Sequence, residues 1–241
     1  MPMQGLNQLP LVNVQDCHPR RPLSLLLKHG TRDAHRFIER LAFVKGFLRG
    51  VIDPISYQRL LIDLYTVYGA LEEGLRRHPN HPVLCWSAWP LLWREQSLGE
   101  DLDHLALRRC EASTQRLTWR QQSPSAAAHE YAEQIRRQAQ HSPFLLLAHA
   151  YTRYLGDLSG GQILRRIAGF ALDLSGPDGL RFYEFSQIPN IGQFKQDFRQ
   201  WLDRRPLSAA EQSAVVEEAI AAFSWNGAIF ESLQPSAANQ C

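Results

Sequence analysis

Residues Tyr151 to Gln162 read Tyr-Thr-Arg-Tyr-Leu-Gly-Asp-Leu-Ser-Gly-Gly-Gln, which sets Gly156, Gly160 and Gly161 inside an apolar helical pattern. Leu145, Leu146, Ala148, Tyr151, Thr152 and Leu155 lead into the glycines, and Ile163, Ile167 and Ala171 continue the stripe beyond them. A glycine inside a helix costs about 1 kcal/mol relative to alanine. Three so close together imply backbone pressed against something flat or bulky, in a helix that bends at the glycines but continues.

Other readings of the segment are weaker. A turn between two helices would not carry the stripe across. A phosphate-cradling loop needs Lys and then Ser or Thr after its last glycine, whereas Gly161 is followed by Gln162 and Ile163. Leu158 to Gln162 also spell the signature loop of ATP-binding-cassette transporters, but the chain has no Walker A pattern. Gly156 and Gly160 have membrane-dimer spacing, yet Asp157 lies between them and Arg153 beside them, far from an apolar span.

The whole chain narrows the class. With 241 residues, 44% of them hydrophobic, it can bury a substantial core. Its net charge of +2, with acids and bases interspersed, does not call for nucleic acid. Cys17, Cys85, Cys110 and Cys241 are scattered without metal-ligand spacing, which suits a reducing cytoplasm. Residues 1–22 lack the apolar centre of a signal peptide, and no apolar run is long enough for a membrane span.

Helix punctuation recurs and strand signals are almost absent. The first helix is predicted from Pro22 to Lys45. Asp53-Pro54 opens a second, ending near His78-Pro79. The Trp- and Pro-rich stretch from His81 to Trp93 reads as irregular. Shorter helices are predicted from Ser97 to Arg109 and from Ser123-Pro124 onward. Ser142-Pro143 opens the glycine helix, and Gly176-Pro177 marks a loop. A helix from about Asn190 reaches Arg204, and the capping box Ser208-Ala-Ala-Glu211 opens the last, to about Leu233. The expectation is one all-α domain over 23–233, with an irregular extension at 1–22 and a flexible tail at 234–241.

The glycine helix needs something to face. His35 and His149 both lie on apolar helix faces. For either, a hydrogen-bonded core histidine is the ordinary reading. Glu39 stands at i+4 from His35, where a carboxylate can fix the imidazole tautomer while the other nitrogen binds a metal. His149 shares a stripe with Gly156 but has no such carboxylate, and spacing alone leaves its role open.

Tyr151 to Ala171, together with Thr31 to Glu39, Phe43 to Gly50 and Asn190 to Arg199, resembles heme oxygenase, most nearly the soluble bacterial and cyanobacterial form. The resemblance runs from about Leu25 to Leu233 and is weak from His81 to Ser123, where Trp content is unusual. It implies a single-domain helical bundle that holds heme b, both cofactor and substrate, between a proximal helix and a glycine-bent distal helix. His35 matches the ligand to iron and Glu39 its supporting carboxylate. Gly156, Gly160 and Gly161 match the distal glycines, whose missing side chains let backbone lie over the porphyrin. Asp157 matches a distal acid that holds water rather than touching iron, with Arg153, Tyr68 and Asn226 in its network.

The resemblance further implies that Lys28, Tyr151, Lys195 and Arg199 hold the propionates. A basic pair such as Lys195 and Arg199 would otherwise read as a solvated face. The implied reaction consumes dioxygen and external electrons, and yields biliverdin IX alpha, carbon monoxide and ferrous iron. The basic residues Lys28, Arg32, Arg36 and Arg40 recur every fourth position and could receive an acidic ferredoxin-like donor, or could serve solubility. No motif for flavin or another redox cofactor occurs. The expected protein is a cytoplasmic monomer without membrane or nucleic-acid partners. Rivals are a non-catalytic heme carrier or sensor, a thiamin-related hydrolase, and a di-iron oxidase, which would need paired Glu-x-x-His ligands that the chain lacks.

Overall fold

The computed structural model describes residues 21–110 and 118–233. The expected tail, residues 1–20 of the expected amino-terminal extension and part of the Trp-rich region lie outside that range. Among the described residues the chain is helical, with no strand. None of these helices is long and apolar enough to cross a membrane.

The centre is α4, Pro54–Arg77, which Asp53 opens by accepting the Ser56 amide at 2.8 Å. Its buried side chains lie on more than one face, including Tyr57, Leu61, Leu64, Val67, Tyr68 and Leu71. A helix buried so widely is the core around which others pack. It contacts α6 (Glu95–Cys110), α7 (Ala126–His141) and α8 (Leu146–Ala171). The carboxyl-terminal α10, Ala209–Ser232, packs on α7 and α8, and its predicted Ser208–Glu211 capping box is formed. Helix α9, Ile191–Asp203, is capped by Asn190, which accepts the Gln193 amide at 2.9 Å.

The amino-terminal helix departs from expectation. In place of one helix from Pro22 to Lys45 there are three: α1 (Leu23–Gly30), α2 (Arg32–Ile38) and α3 (Ala42–Leu48). At the first break the Thr31 hydroxyl donates to the Leu27 carbonyl at 2.8 Å. At the second, Leu41 adopts extended backbone (φ −61, ψ 143) and turns its side chain inward. Helix α3 closes with Gly50 at φ 75, where the Val51 amide reaches the Gly46 carbonyl at 2.9 Å and the Gly50 amide reaches Phe47 at 2.9 Å. Only glycine takes that backbone freely, and the chain thereby reverses into α4.

Three further boundaries differ. Ser125, not Ser123, caps α7, donating its own amide and hydroxyl to Asp63 while accepting the Ala128 amide at 3.1 Å. Pro143–Leu145 form a 3-10 turn before α8 begins. The irregular 81–93 stretch contains one short helix, α5, Trp89–Leu92. Helix α8 itself runs unbroken through all three glycines of the opening motif.

Candidate heme site

Between α2 and α3 on one side and α8 on the other lies a cavity of about 810 Å³. Leu60 and Leu64 of α4, with Phe223, Asn226 and Phe230 of α10, help line it. The walls are mostly apolar, and polar groups converge from α8. This is the form of a pocket for a large, flat, mainly apolar ligand.

Gly156 and Gly160 line the cavity, and a Cβ added to either would meet no atom within 4 Å. Their missing side chains therefore leave space for a ligand, with no protein neighbour requiring it. Gly161 is different. It is buried away from the cavity, and a Cβ there would touch Tyr183 at 3.8 Å. This corrects the expectation that all three glycines face one ligand. Turns of 3.6 residues put positions 156 and 160 on one face and carry 161 off it.

His35 lines the opposite wall. Its Nδ1 stands 3.5 Å from Glu39 Oε1, which leaves Nε2 as the nitrogen available to a ligand. The ring meets Phe223 edge-on at 5.7 Å between centroids, which limits its rotation. His149 is not on this wall. It is a fully buried residue of α8 itself, with Nδ1 3.3 Å from the Tyr131 hydroxyl and Nε2 3.2 Å from Glu218. The core reading holds for His149.

Asp157 and Arg153 line the cavity one helical turn apart, 3.7 Å between Arg153 Nη2 and Asp157 Oδ1. Tyr68 stands behind them, donating its hydroxyl to Asp157 Oδ2 and accepting from Arg153 Nε at 3.1 Å. Arg153 Nη1 donates to Asn226 Oδ1 at 2.5 Å, and Asn226 Nδ2 is held by the Ala222 carbonyl at 2.7 Å. Burial pushes the Asp157 carboxyl above its ordinary pKa, outweighing the Arg153 charge, the Tyr68 hydrogen bond and the Arg94 charge that pull it down. Tyr68, deeper still, is raised well above its usual range, chiefly by burial. The set can hold a water and a proton at the cavity wall.

Lys28, Arg32, Arg36, Tyr151 and Arg199 lie around the cavity. Lys195 does not line it; its Nζ reaches Ser159 Oγ at 3.4 Å, and Ser159 is a lining residue. Arg40, expected to extend the basic stripe, falls in the break after α2. The aromatic residues of α10 were not singled out from sequence, although Phe223 and Phe230 are seven apart with Asn226 between them, a one-face spacing. Thr31, buried at the cavity edge, gave no such signal.

An all-helical bundle with one imidazole facing a side-chain-free stretch of helix defines a heme-handling class of protein. A profile of the heme oxygenase family matches residues 21–232, and the chain belongs to that family. It is similar to heme oxygenase 1 of Nostoc sp., with 40% identity over 209 residues, 86% of this chain and 84% of the relative. Its structure resembles that of heme oxygenase-1 from Synechocystis sp. in complex with heme, with TM-score 0.81 and 40% identity over 89% of this chain and 93% of that one. The Leptospira interrogans heme oxygenase is similar at TM-score 0.80 and 37% identity, covering 88% of this chain and 100% of that one. The protein is an enzyme that degrades heme to biliverdin.

Proposed function

We propose that heme b sits between His35 and the Gly156–Gly160 face of α8, and that the products are biliverdin IX alpha, carbon monoxide and ferrous iron. The observation that carries this is the pairing of an available imidazole nitrogen with two glycines whose absent Cβ atoms open into the same cavity. Bound heme supplies the iron that activates dioxygen against the porphyrin's own edge.

The chain's residues do the rest. Glu39, 3.5 Å from Nδ1 of His35, would fix the imidazole tautomer and leave Nε2 to hold the iron. Asp157 would stay off the iron and hold a water at the cavity wall, to which it could pass protons. Tyr68 and Arg153 fix the carboxyl in place, and Asn226 fixes Arg153. Lys28, Tyr151 and Arg199 hold the propionates and so select one ring edge, with Lys195 assisting from beyond Ser159. Gly161 acts indirectly, seating α8 on Tyr183. Electrons come from a ferredoxin or similar acidic donor at the basic rim. The working form is a cytoplasmic monomer. A carrier would have no use for a buried acid with its own tyrosine and arginine, so that network favours turnover over storage.

The test is direct. Hemin added to the purified protein should give a Soret band, and ascorbate or reduced ferredoxin should replace it with bilin absorbance, the isomer being identified by chromatography. His35→Ala should shift the Soret band, and added imidazole should restore it. A stable Soret band under reductant and air would sink the enzymatic reading.

A further inference from the structure

The chain has six tryptophans, and three of them converge in space with no catalytic role assigned above. Trp86 and Trp89 come from the segment before α6, and Trp201 from α9. Trp86 stacks on Trp201 at 4.9 Å between centroids, with planes 23° apart. Trp89 meets Trp86 at 5.0 Å and Trp201 at 5.2 Å. Trp89 also faces Tyr154 at 6.3 Å, and Tyr154 faces Tyr68 at 5.7 Å. Tyr68 is the tyrosine whose hydroxyl donates to Asp157. An unbroken run of aromatic rings therefore leads from the cavity wall, through buried Tyr154 and Trp89, to Trp86, which is half-buried at the surface.

Packing alone explains a cluster of large rings. It does not explain why the members of this run are all Tyr or Trp, the side chains that yield one electron at accessible potentials, while Phe182 and Phe198 stand beside it. Nor does it explain the inner end, where the first tyrosine has a carboxylate placed to take its proton.

We propose that the run Tyr68, Tyr154, Trp89, Trp86, with Trp201 beside its outer end, conducts oxidising equivalents out of the heme cavity, giving the protein a protective peroxide-reducing activity. The proposal rests on heme binding as inferred above. Hydrogen peroxide reduced to two waters takes up two electrons and two protons. Each electron leaves Tyr68 while its phenolic proton moves to Asp157. Tyr154 and then the indoles refill Tyr68, and the proton returns. The deficit ends at Trp86, where an external thiol supplies one electron and one proton. Two thiols become one disulfide and complete the balance.

The test uses hemin-loaded protein and hydrogen peroxide without reductant, read by freeze-quench electron paramagnetic resonance and peptide mass spectrometry. Wild type should show a tryptophanyl radical and oxidised Trp86. Tyr154→Phe, which keeps the ring but blocks the hop, should lower Trp86 oxidation at least tenfold and leave the radical on a tyrosine. Trp86→Phe should move oxidation to Trp89 or Trp201, with reductant-driven ring opening unchanged. Equal Trp86 oxidation in hemin-free protein, or in Tyr154→Phe that binds hemin normally, would overturn the proposal. A wild type without a Soret band would remove it together with the reading on which it rests; a normal Soret band with no Trp86 oxidation would remove it alone.

Discussion

Asp157 is a residue on which burial and bonding act in opposite directions. Desolvation raises its pKa, while Arg153, Tyr68 and Arg94 oppose the rise, so the carboxyl is held near a proton without being a strong acid. Replacing it with Ala keeps the glycine face and His35, so hemin affinity should stay within a few-fold. Biliverdin formation should fall by about 100-fold or more, the usual weight of a positioned proton-transfer group. Unchanged bilin yield in Asp157→Ala would count against the assigned role. At this scale spacing along one helix pointed to the pair His35 and Glu39, whereas Arg153 and Asp157 were reached only through the family resemblance. It was uninformative where a role depends on which side of the helix faces out. Gly161 is one residue past Gly160 and so points at Tyr183, and His149 turns to Glu218 from another helix, 69 residues away by number (218 − 149).

Elements show a similar division. Helices opened by their own caps, at Asp53, Asn190 and Ser208, begin where local chemistry places them. The breaks at Thr31 and Leu41 were hidden, because the apolar and basic periodicity runs across them, while the Thr31 hydroxyl bond to Leu27 and the inward turn of Leu41 show only in the fold. Helix α8 gives a sharp test. Gly160→Ala puts a methyl into open space, so it should raise the stability of ligand-free protein by about 0.5–1 kcal/mol. Gly160→Leu fills the porphyrin's place and should weaken hemin binding on the order of tenfold or more, since such crowding costs about 1–3 kcal/mol. Titration calorimetry and thermal melts would separate the two effects; tight hemin binding by Gly160→Leu would refute the assigned face.

The start of helix α6 rests on a pH-dependent group of α4. The buried Glu72 carboxylate accepts the Glu95 amide at 3.1 Å and the Arg94 amide, and burial, outweighing those bonds, raises its pKa to about 7. A folded pKa above the unfolded value means the folded state holds the proton more tightly. The stabilising contribution is complete below the ordinary value of 4.5 and is lost as pH rises toward about 7. Asp101, raised to about 6 by its burial, acts in the same direction. The unfolding free energy from urea titrations should therefore fall between pH 5 and 7.5 by about 4 kcal/mol at most. Glu72→Gln should flatten part of that slope, and parallel profiles for the two proteins would show that Glu72 does not titrate there.

At the scale of the whole molecule, charge is nearly balanced at +2, so steering of a donor must come from the local rim of Lys28, Arg32, Arg36 and Arg199. Screening length shrinks from about 10 Å at 0.1 M salt to about 3 Å at 1 M. Ferredoxin-driven turnover should thus drop steeply over that range while ascorbate-driven turnover holds; equal salt dependence would place the donor elsewhere. The overall bundle was legible from helix punctuation. The tryptophan assembly was not, because it joins residues 86 and 89 to 201 across the fold, and composition shows such residues without showing that they meet.

The segment that bears His35 has one more consequence. Helix α2 is seven residues long and buries none of them, and a helix that short has little stability of its own. Its order is borrowed from α1 and α10, and from whatever fills the space beside it. Trypsin should accordingly nick the unliganded protein first at Arg32, Arg36 or Arg40, and hemin should suppress the cut. Inside a cell with active proteases, the lifetime of the enzyme would then track the supply of its substrate, and scarcity would clear surplus copies without any dedicated regulator.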